Sequence, residues 1–247
     1  MDISIVIPAF NEAAKIRRDI EAGAAFIRRL GRDGEIIIVD DGSEDGTAHA
    51  AGQVETPSGI RRNILQYEPN RGKGYALRQG MAVSSGRVVM FVDSGSCIPL
   101  DDAMTGIDWI ERGLVDLAHG SRRHRQSQIV RSRSLYRNIC SQLFRWILYG
   151  RIRLPVALTD TQCGFKVYRG DLAREIYSEC ELDGFLIDIE VIVRAWSRDC
   201  QIREFPVHWT VDPDSRTQPL KHLRAIWTEA RYVQRLLRNL RKSKITS

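Results

Sequence analysis

Ile36-Ile37-Ile38-Val39-Asp40-Asp41-Gly42-Ser43-Glu44-Asp45-Gly46-Thr47 runs four apolar β-formers into two carboxylates, a glycine turn and a helix start. A strand apolar at every position is buried on both faces, as in a parallel sheet. Acidic groups at its C-terminal end stand where open α/β sheets bind their ligands. Asp40 and Asp41 can accept hydrogen bonds there from a nucleotide base or ribose. The alternative is an ordinary strand-to-helix turn with Ser43 or Asp45 as N-cap.

The flanking sequence repeats the pattern. Ile3–Pro8, Glu35–Val39, Asn63–Tyr67 and Arg87–Val92 read as strands. Glu12–Leu30, Thr47–Val54 and Gly74–Val83 read as helices between them. Such alternation predicts a parallel sheet covered by helices on both faces. Right-handed crossovers then bring the strand C-termini and their loops to one edge. The second half is less regular. Val115–Gly120 and Gln201–His208 read as strands, and Ile129–Tyr149 and Leu186–Trp196 as helices. Beyond three prolines, Leu220, Leu223, Trp227, Ala230, Val233, Leu237 and Leu240 form one apolar stripe at helical spacing. The division expected is a domain over 1–212 followed by a basic amphipathic helix and tail over 213–247.

The chain has 247 residues and a net charge of +6, unevenly distributed. Between Leu117 and Thr159 there are nine arginines and no acid, and from Arg216 onward nine Lys/Arg face the single acid Glu229. The rest of the chain is therefore acidic. Two basic surfaces on an acidic body suit a polyanionic partner. No helix-turn-helix, RNA-binding motif or zinc finger accompanies the arginines, which argues against nucleic acid. No apolar run approaches the roughly 18 residues of a membrane span. The opening Met1–Glu12 lacks the basic n-region and cleavage site of a secretory signal. Five widely spaced cysteines without a CxxC pair suit a reducing compartment and no structural zinc.

Four loops are expected at the strand edge: Pro8-Ala9-Phe10-Asn11-Glu12, Val39–Ser43, Asn70-Arg71-Gly72-Lys73-Gly74 and Phe91-Val92-Asp93-Ser94-Gly95-Ser96. They offer carboxylates for base, ribose and metal, Arg71 and Lys73 for phosphates, and Phe10 to flank a base. The glycines at 72 and 74 lack GxGxxG spacing, so a nucleotide sugar fits better than a dinucleotide.

These motifs resemble family 2 glycosyltransferases of the GT-A fold, and more narrowly the dolichyl-phosphate glucose and dolichyl-phosphate mannose synthases. The narrower likeness lies in Gly120-Ser121-Arg122, Ser127–Arg131, Arg133–Asn138, Asp160-Thr161-Gln162-Cys163-Gly164-Phe165-Lys166 and Phe185–Glu190. The string 160–166 leans toward the glucosyl branch. The resemblance implies a Rossmann-like α/β fold, a mostly parallel sheet flanked by helices. It implies a nucleotide-diphosphate sugar donor (UDP-glucose first, GDP-mannose second) and inverting transfer to a polyprenyl or dolichyl phosphate. Donor contacts then fall to Pro8, Ala9, Phe10, Glu12, Asp40, Asp41, Arg71, Lys73, Asp93 and Ser94. Acceptor phosphate falls to Arg122 with Arg131, Arg133 and Arg137, and the catalytic set to Asp188, Asp160 and Arg122. Mg2+ or Mn2+ is implied at Asp93. The basic tail implies a peripheral site on the cytosolic face of an anionic membrane. Packing is expected over Leu220–Ala230 and membrane contact over Val233–Ile245.

One departure stands out. The family usually carries Asp-x-Asp at the metal position, and here the string is Asp93-Ser94-Gly95. Asp101 and Asp102 read as helix N-terminal acids instead. The remaining alternatives are a hydroxyl acceptor with Asp188 as general base, or a silent nucleotide-sugar binder. Asp160 either positions a substrate or caps a turn. Asp188 and Glu190, two apart on a helix, face different ways. Cys163, His119 and His208 read as packing residues.

Overall fold

The computed structural model describes residues 1–130, 152, 154, 156–210 and 223–246. Strands β1 (Ile3–Ala9), β2 (Gly34–Asp41), β3 (Ile60–Tyr67) and β4 (Val88–Val92) alternate with helices α1 (Ile16–Arg29), α2 (Thr47–Gly52) and α3 (Lys73–Val83). A 3-10 turn at Leu100–Ala103 leads into α4 (Met104–Glu111), then β5 (Leu117–Ser121) and β6 (Gln128–Ile129) follow. After the 131–151 segment come β7 (Phe165–Arg169), α5 (Gly170–Glu179), α6 (Ile187–Ser197), β8 (Ile202–Pro206), β9 (His208–Trp209) and α7 (Leu223–Thr246).

The main sheet runs β3-β2-β1-β4-β7-β5-β8, and β6 pairs with β9 in a small second sheet. Only β7 opposes its neighbours β4 and β5; the other pairings in this sheet are parallel. The chain turns from β1 to β2 on one side and reaches β4 on the other. The switch point therefore lies between β1 and β4, where such sheets bind ligands.

Period-two alternation divides the strand side chains between two cores. Ile3, Ile5, Ile7, Ile36, Ile38 and Met90 pack under α1 and α4. Val6, Ile37, Val39, Val89 and Phe91 pack under α3, α5 and α6. Both faces are covered, which is why β2 is apolar without interruption.

Three sequence expectations shift. Helix α1 starts at Ile16, four residues late, because the backbone before it is held by the β2 loop: Asn11, Glu12 and Ala13 amides donate to Ser43 Oγ, Thr47 Oγ1 and Asp45 Oδ2 at 2.8, 2.8 and 3.1 Å. Strand β7 and helix α5 replace a stretch left without elements. The apolar stripe of α7 buries Ala230, Val233 and Leu237 in one cluster with Leu182, Leu186 and, on α6, Ile189 and Val193; Ile226 is buried as well, while Trp227 is exposed. Val233 and Leu237 are thus core residues and not membrane contacts; each buried aliphatic of this size contributes roughly 1.5–3 kcal/mol. The exposed face of α7 carries Arg224, Arg231, Arg235, Arg238 and Arg241. Among the described residues no helix is long and apolar enough to cross a membrane. The helix expected over Ile129–Tyr149 lies outside the described residues, save Ile129 in β6 and Val130.

Candidate active site

The β2 loop divides its two carboxylates between different tasks. Asp41 accepts from Asn70 Nδ2 at 2.9 Å and from the Arg71 and Gly72 amides at 2.8 Å each, so it pins the 70–72 turn. Asp40, beside Ala9 in the sheet register, is fully buried. Its Oδ1 accepts the Ser43 amide at 3.0 Å, and its Oδ2 has no hydrogen-bond partner among the described residues. Asp40 lines a cavity of about 400 Å³ with Ser43, His49, Ile64 and Gln66. A buried, unpartnered acceptor at such a cavity is prepared for a ligand N–H. Phe10 stands half-exposed at the end of β1. Pro8 and Ala9 close the strand beneath it, and Glu12 pairs with Lys15 at 3.1 Å.

The pinned turn delivers Arg71 and Lys73 to the start of α3. The Arg71 guanidinium lies 3.7 Å over the Tyr75 ring, which fixes its plane. Lys73 Nζ sits 2.9 Å from Asp93 Oδ1 and 3.6 Å from Asp188 Oδ2. Burial works against its charge, but Asp93 and Asp188 outweigh that and raise its pKa. Asp188, with its side chain only 1% exposed, also takes the fully buried Lys166 ammonium on Oδ1. Lys166 donates further to the Cys163 carbonyl at 2.6 Å. Asp93, Lys73, Asp188 and Lys166 thus form a chain of alternating charge from surface to core. Glu190, on another face of α6, binds Arg194 and the 181 and 182 amides instead.

Asp93 directly follows β4, and its side chain is 45% exposed. Its amide donates to the Gly164 carbonyl at 2.8 Å. A Cβ on Gly164 would fall 1.8 Å from Asp93 Oδ2, so only glycine leaves room for that carboxylate. The loop after it is held from below by Asp19 of α1. Asp19 accepts from Ser94 Oγ at 2.7 Å, from the Gly95 amide at 2.9 Å, and from Ser96 Oγ. Gly95 has φ 103°, which a residue with a side chain rarely adopts. The backbone itself is therefore committed to glycine where the Asp-x-Asp pattern has its second carboxylate. No group of three His, Cys, Asp or Glu side chains among the described residues is placed to hold a metal ion. Asp93 alone, an exposed hard-oxygen donor, fits a divalent cation whose other ligands come from a bound diphosphate and water.

Across Gly164 lies a second ion pair. Arg122 grips Asp160 through Nε at 2.6 Å and Nη2 at 2.8 Å. Burial would raise the Asp160 pKa, yet the Arg122 guanidinium holds it well below the ordinary carboxylate range. Glu204 of β8 fixes this turn by accepting the Thr159 and Asp160 amides at 2.8 and 2.9 Å. Behind it, buried His119 donates Nε2–H to the Asp160 carbonyl, a group that can only accept. Its Nδ1 is buried with no partner among the described residues. Burial and the nearby Lys166 charge push the His119 pKa well down. Burial also raises the Cys163 thiol to about 12, in keeping with a packing role.

The fold agrees with comparison against known proteins. The family model described as Glycosyl transferase family 2 matches residues 4–177. The chain belongs to glycosyl transferase family 2. It is a glycosyltransferase of the GT-A fold. It is 29% identical over 227 residues to a dolichyl-phosphate beta-glucosyltransferase of Dictyostelium discoideum, covering 88% of this chain and 69% of that one. It is 28% identical over 232 residues to the Homo sapiens protein of that name, covering 88% and 70%. Among solved structures, mannosyl-3-phosphoglycerate synthase from Rubrobacter xylanophilus superposes with a TM-score of 0.72 at 19% identity, covering 97% of this chain and 75% of that one. Glucosyl-3-phosphoglycerate synthase from Mycobacterium tuberculosis, in complex with Mn2+, UDP-glucose and phosphoglyceric acid, superposes with a TM-score of 0.62 at 24% identity, covering 97% and 79%.

Of the expected site residues, Lys73 joins Asp93 and Asp188, Arg122 pairs with Asp160, Asp41 pins the turn that carries Arg71, Asp40 lines the cavity, and Ser94 is held by Asp19. Arg131, Arg133 and Arg137 lie outside the described residues. Lys166, Asp19, Gly164 and Glu204 were missed as participants. Lys166 left a signal, a lone charge inside the apolar Phe165–Tyr168 run, and Gly164 lies in the 160–166 string that carried the resemblance; Asp19 and Glu204 left none.

Proposed function

We propose that this glycosyltransferase moves glucose from UDP-glucose, with inversion, to a polyprenyl phosphate of the dolichyl type. The carrying observation is that the three carboxylates expected at the metal and the reacting groups are each paired with a cation: Asp93 with Lys73, Asp188 with Lys73 and Lys166, and Asp160 with Arg122. A hydroxyl nucleophile needs a free base. A phosphate monoester is already ionised near pH 7 and needs none. The names of the relatives favour the same acceptor.

The roles follow from that geometry. Asp40 receives a base N–H and Phe10 flanks the ring. Lys73, held rigidly by two carboxylates, meets charge developing on the departing diphosphate, and Arg71 binds the same group. Asp188 acts through Lys73 by fixing it, not on the sugar. Arg122 offers its remaining N–H groups to the incoming phosphate, oriented by Asp160. A divalent cation, Mg2+ or Mn2+, would be held by Asp93 and the diphosphate and would supply further neutralisation of the leaving group. The exposed arginines of α7 suit anionic headgroups, consistent with a peripheral enzyme on the cytosolic face of a membrane.

The reading is tested by comparing a short polyprenyl phosphate with the corresponding polyprenol as acceptors. Transfer to the phosphate alone, giving a β-linked product by NMR, is expected. Transfer to the alcohol would return the hydroxyl-acceptor alternative.

A further inference from the structure

We infer that Glu229, on the C-terminal helix, is a positioning residue for Lys73 and Asp188, acting through the turn at residues 182–186. The inference rests on the catalytic roles proposed above for that pair.

Glu229 is the single acid in the basic tail. Its Oε2 accepts the Leu186 amide at 3.0 Å, and its carboxylate also accepts the Gly184 amide. A Cβ on Gly184 would lie 1.9 Å from Oε1, so carboxylate and backbone are in direct contact. These amides immediately precede α6, whose second residue is Asp188. The opposite side of the same turn holds α3. The Asp183 carbonyl accepts the Gly74 and Tyr75 amides at 2.7 and 3.2 Å. Cβ atoms on Gly72 and Gly74 would lie 2.4 Å from the Asp183 oxygen and 2.3 Å from the Leu182 oxygen. The two backbones touch with no side chain between them, so movement of the turn reaches α3 undamped. Glu229 therefore fixes the 184–186 side of the piece of chain against which both the Lys73 and the Asp188 helices begin, while Glu190 holds its 181 and 182 amides. Further along α7, Tyr232 Oη donates to Glu190 and accepts from Arg194, and Val233 and Leu237 share an apolar cluster with Leu182, Leu186, Ile189 and Val193, against which Leu240 packs.

This separates positioning from mere stability. Glu229→Ala removes the anchor; Leu240→Ala loosens the same helix about three turns beyond it; Glu229→Gln keeps one acceptor oxygen. Amide hydrogen exchange over residues 72–78 and 183–188, and kcat and KM for UDP-glucose, are measured for all three. Glu229→Ala should speed exchange in both segments and lower kcat by about tenfold or more, since a small misplacement of a catalytic group costs that much. The donor KM should change little. Leu240→Ala should leave exchange in both segments and kcat near wild type, and Glu229→Gln should fall between. Equal effects of Glu229→Ala and Leu240→Ala on exchange and kcat would overturn the inference. If wild-type protein transfers nothing, the reaction proposed above fails, while the exchange comparison still decides whether Glu229 holds the α3 and α6 starts.

Discussion

Lys73 Nζ lies 2.9 Å from Asp93 Oδ1, an ammonium clamped to the carboxylate at the end of β4. Asp188 holds it from beneath. A cation fixed in this way loses little by reorganising when charge appears on a leaving group. Lys73→Met should therefore lower kcat by about 10²–10³-fold, the loss typical of removing one preorganised electrostatic contact. Steady-state rates at saturating donor check this.

Gly164 yields its Cβ space to the Asp93 carboxylate. Gly164→Ala should push that carboxylate aside and cost about 10²-fold in kcat/KM, as misplacements of around 1 Å do. Thermal melting should change far less than activity.

Much of this was legible in the chain. The uninterrupted apolar run at 36–39 announced a doubly covered strand, and the carboxylates after it marked the ligand edge. The C-terminal stripe was visible too, though its length in contact was not: nothing local distinguishes Val233 packed on α6 from Val233 in a bilayer. Strand β7 was hidden because Lys166 breaks its apolar pattern, and that lysine belongs there only because Asp188, 22 residues later, neutralises it. The contacts of Asp19 with Ser94, Gly95 and Ser96 span some 75 residues and leave no local trace. Gly95 read as a lost metal ligand; its φ of 103° and its bond to Asp19 make it a structural glycine as well.

Asp40 Oδ2 is a buried acceptor awaiting a donor. Asp40→Asn keeps the Oδ1 bond to Ser43 but turns Oδ2 into a donor. UDP affinity should fall about tenfold, near 1.4 kcal/mol, the scale of one lost hydrogen bond with a charged acceptor. Calorimetric titration with UDP reads it directly.

Arg122 is the described cation assigned to the acceptor. Arg122→Ala should raise KM for polyprenyl phosphate about tenfold or more, as lost charge-assisted hydrogen bonds do, with little change in KM for UDP-glucose. Asp160→Asn should produce part of the same effect by releasing the guanidinium. The reverse pattern in steady-state kinetics would place Arg122 at the donor.

His119 gives the fold a pH dependence of definite sign. Its folded pKa lies below the ordinary 6.5, so the unfolded chain binds the extra proton first. Its contribution is fully present above about pH 6.5 and is lost as pH falls toward the folded value, by up to roughly 1.4 kcal/mol per pH unit. Urea midpoints from pH 8 to pH 5 should fall in wild type and fall less steeply in His119→Gln.

Glucose transfer to a lipid phosphate leaves an acid-labile product that partitions into organic solvent. Purified protein with Mg2+ and a short polyprenyl phosphate is given radiolabelled UDP-glucose or, separately, GDP-mannose, and acid-labile label in the organic phase is counted. Label from UDP-glucose and not from GDP-mannose is the expected result. Label from GDP-mannose alone would contradict the sugar, and an acid-stable product would contradict the phosphate acceptor.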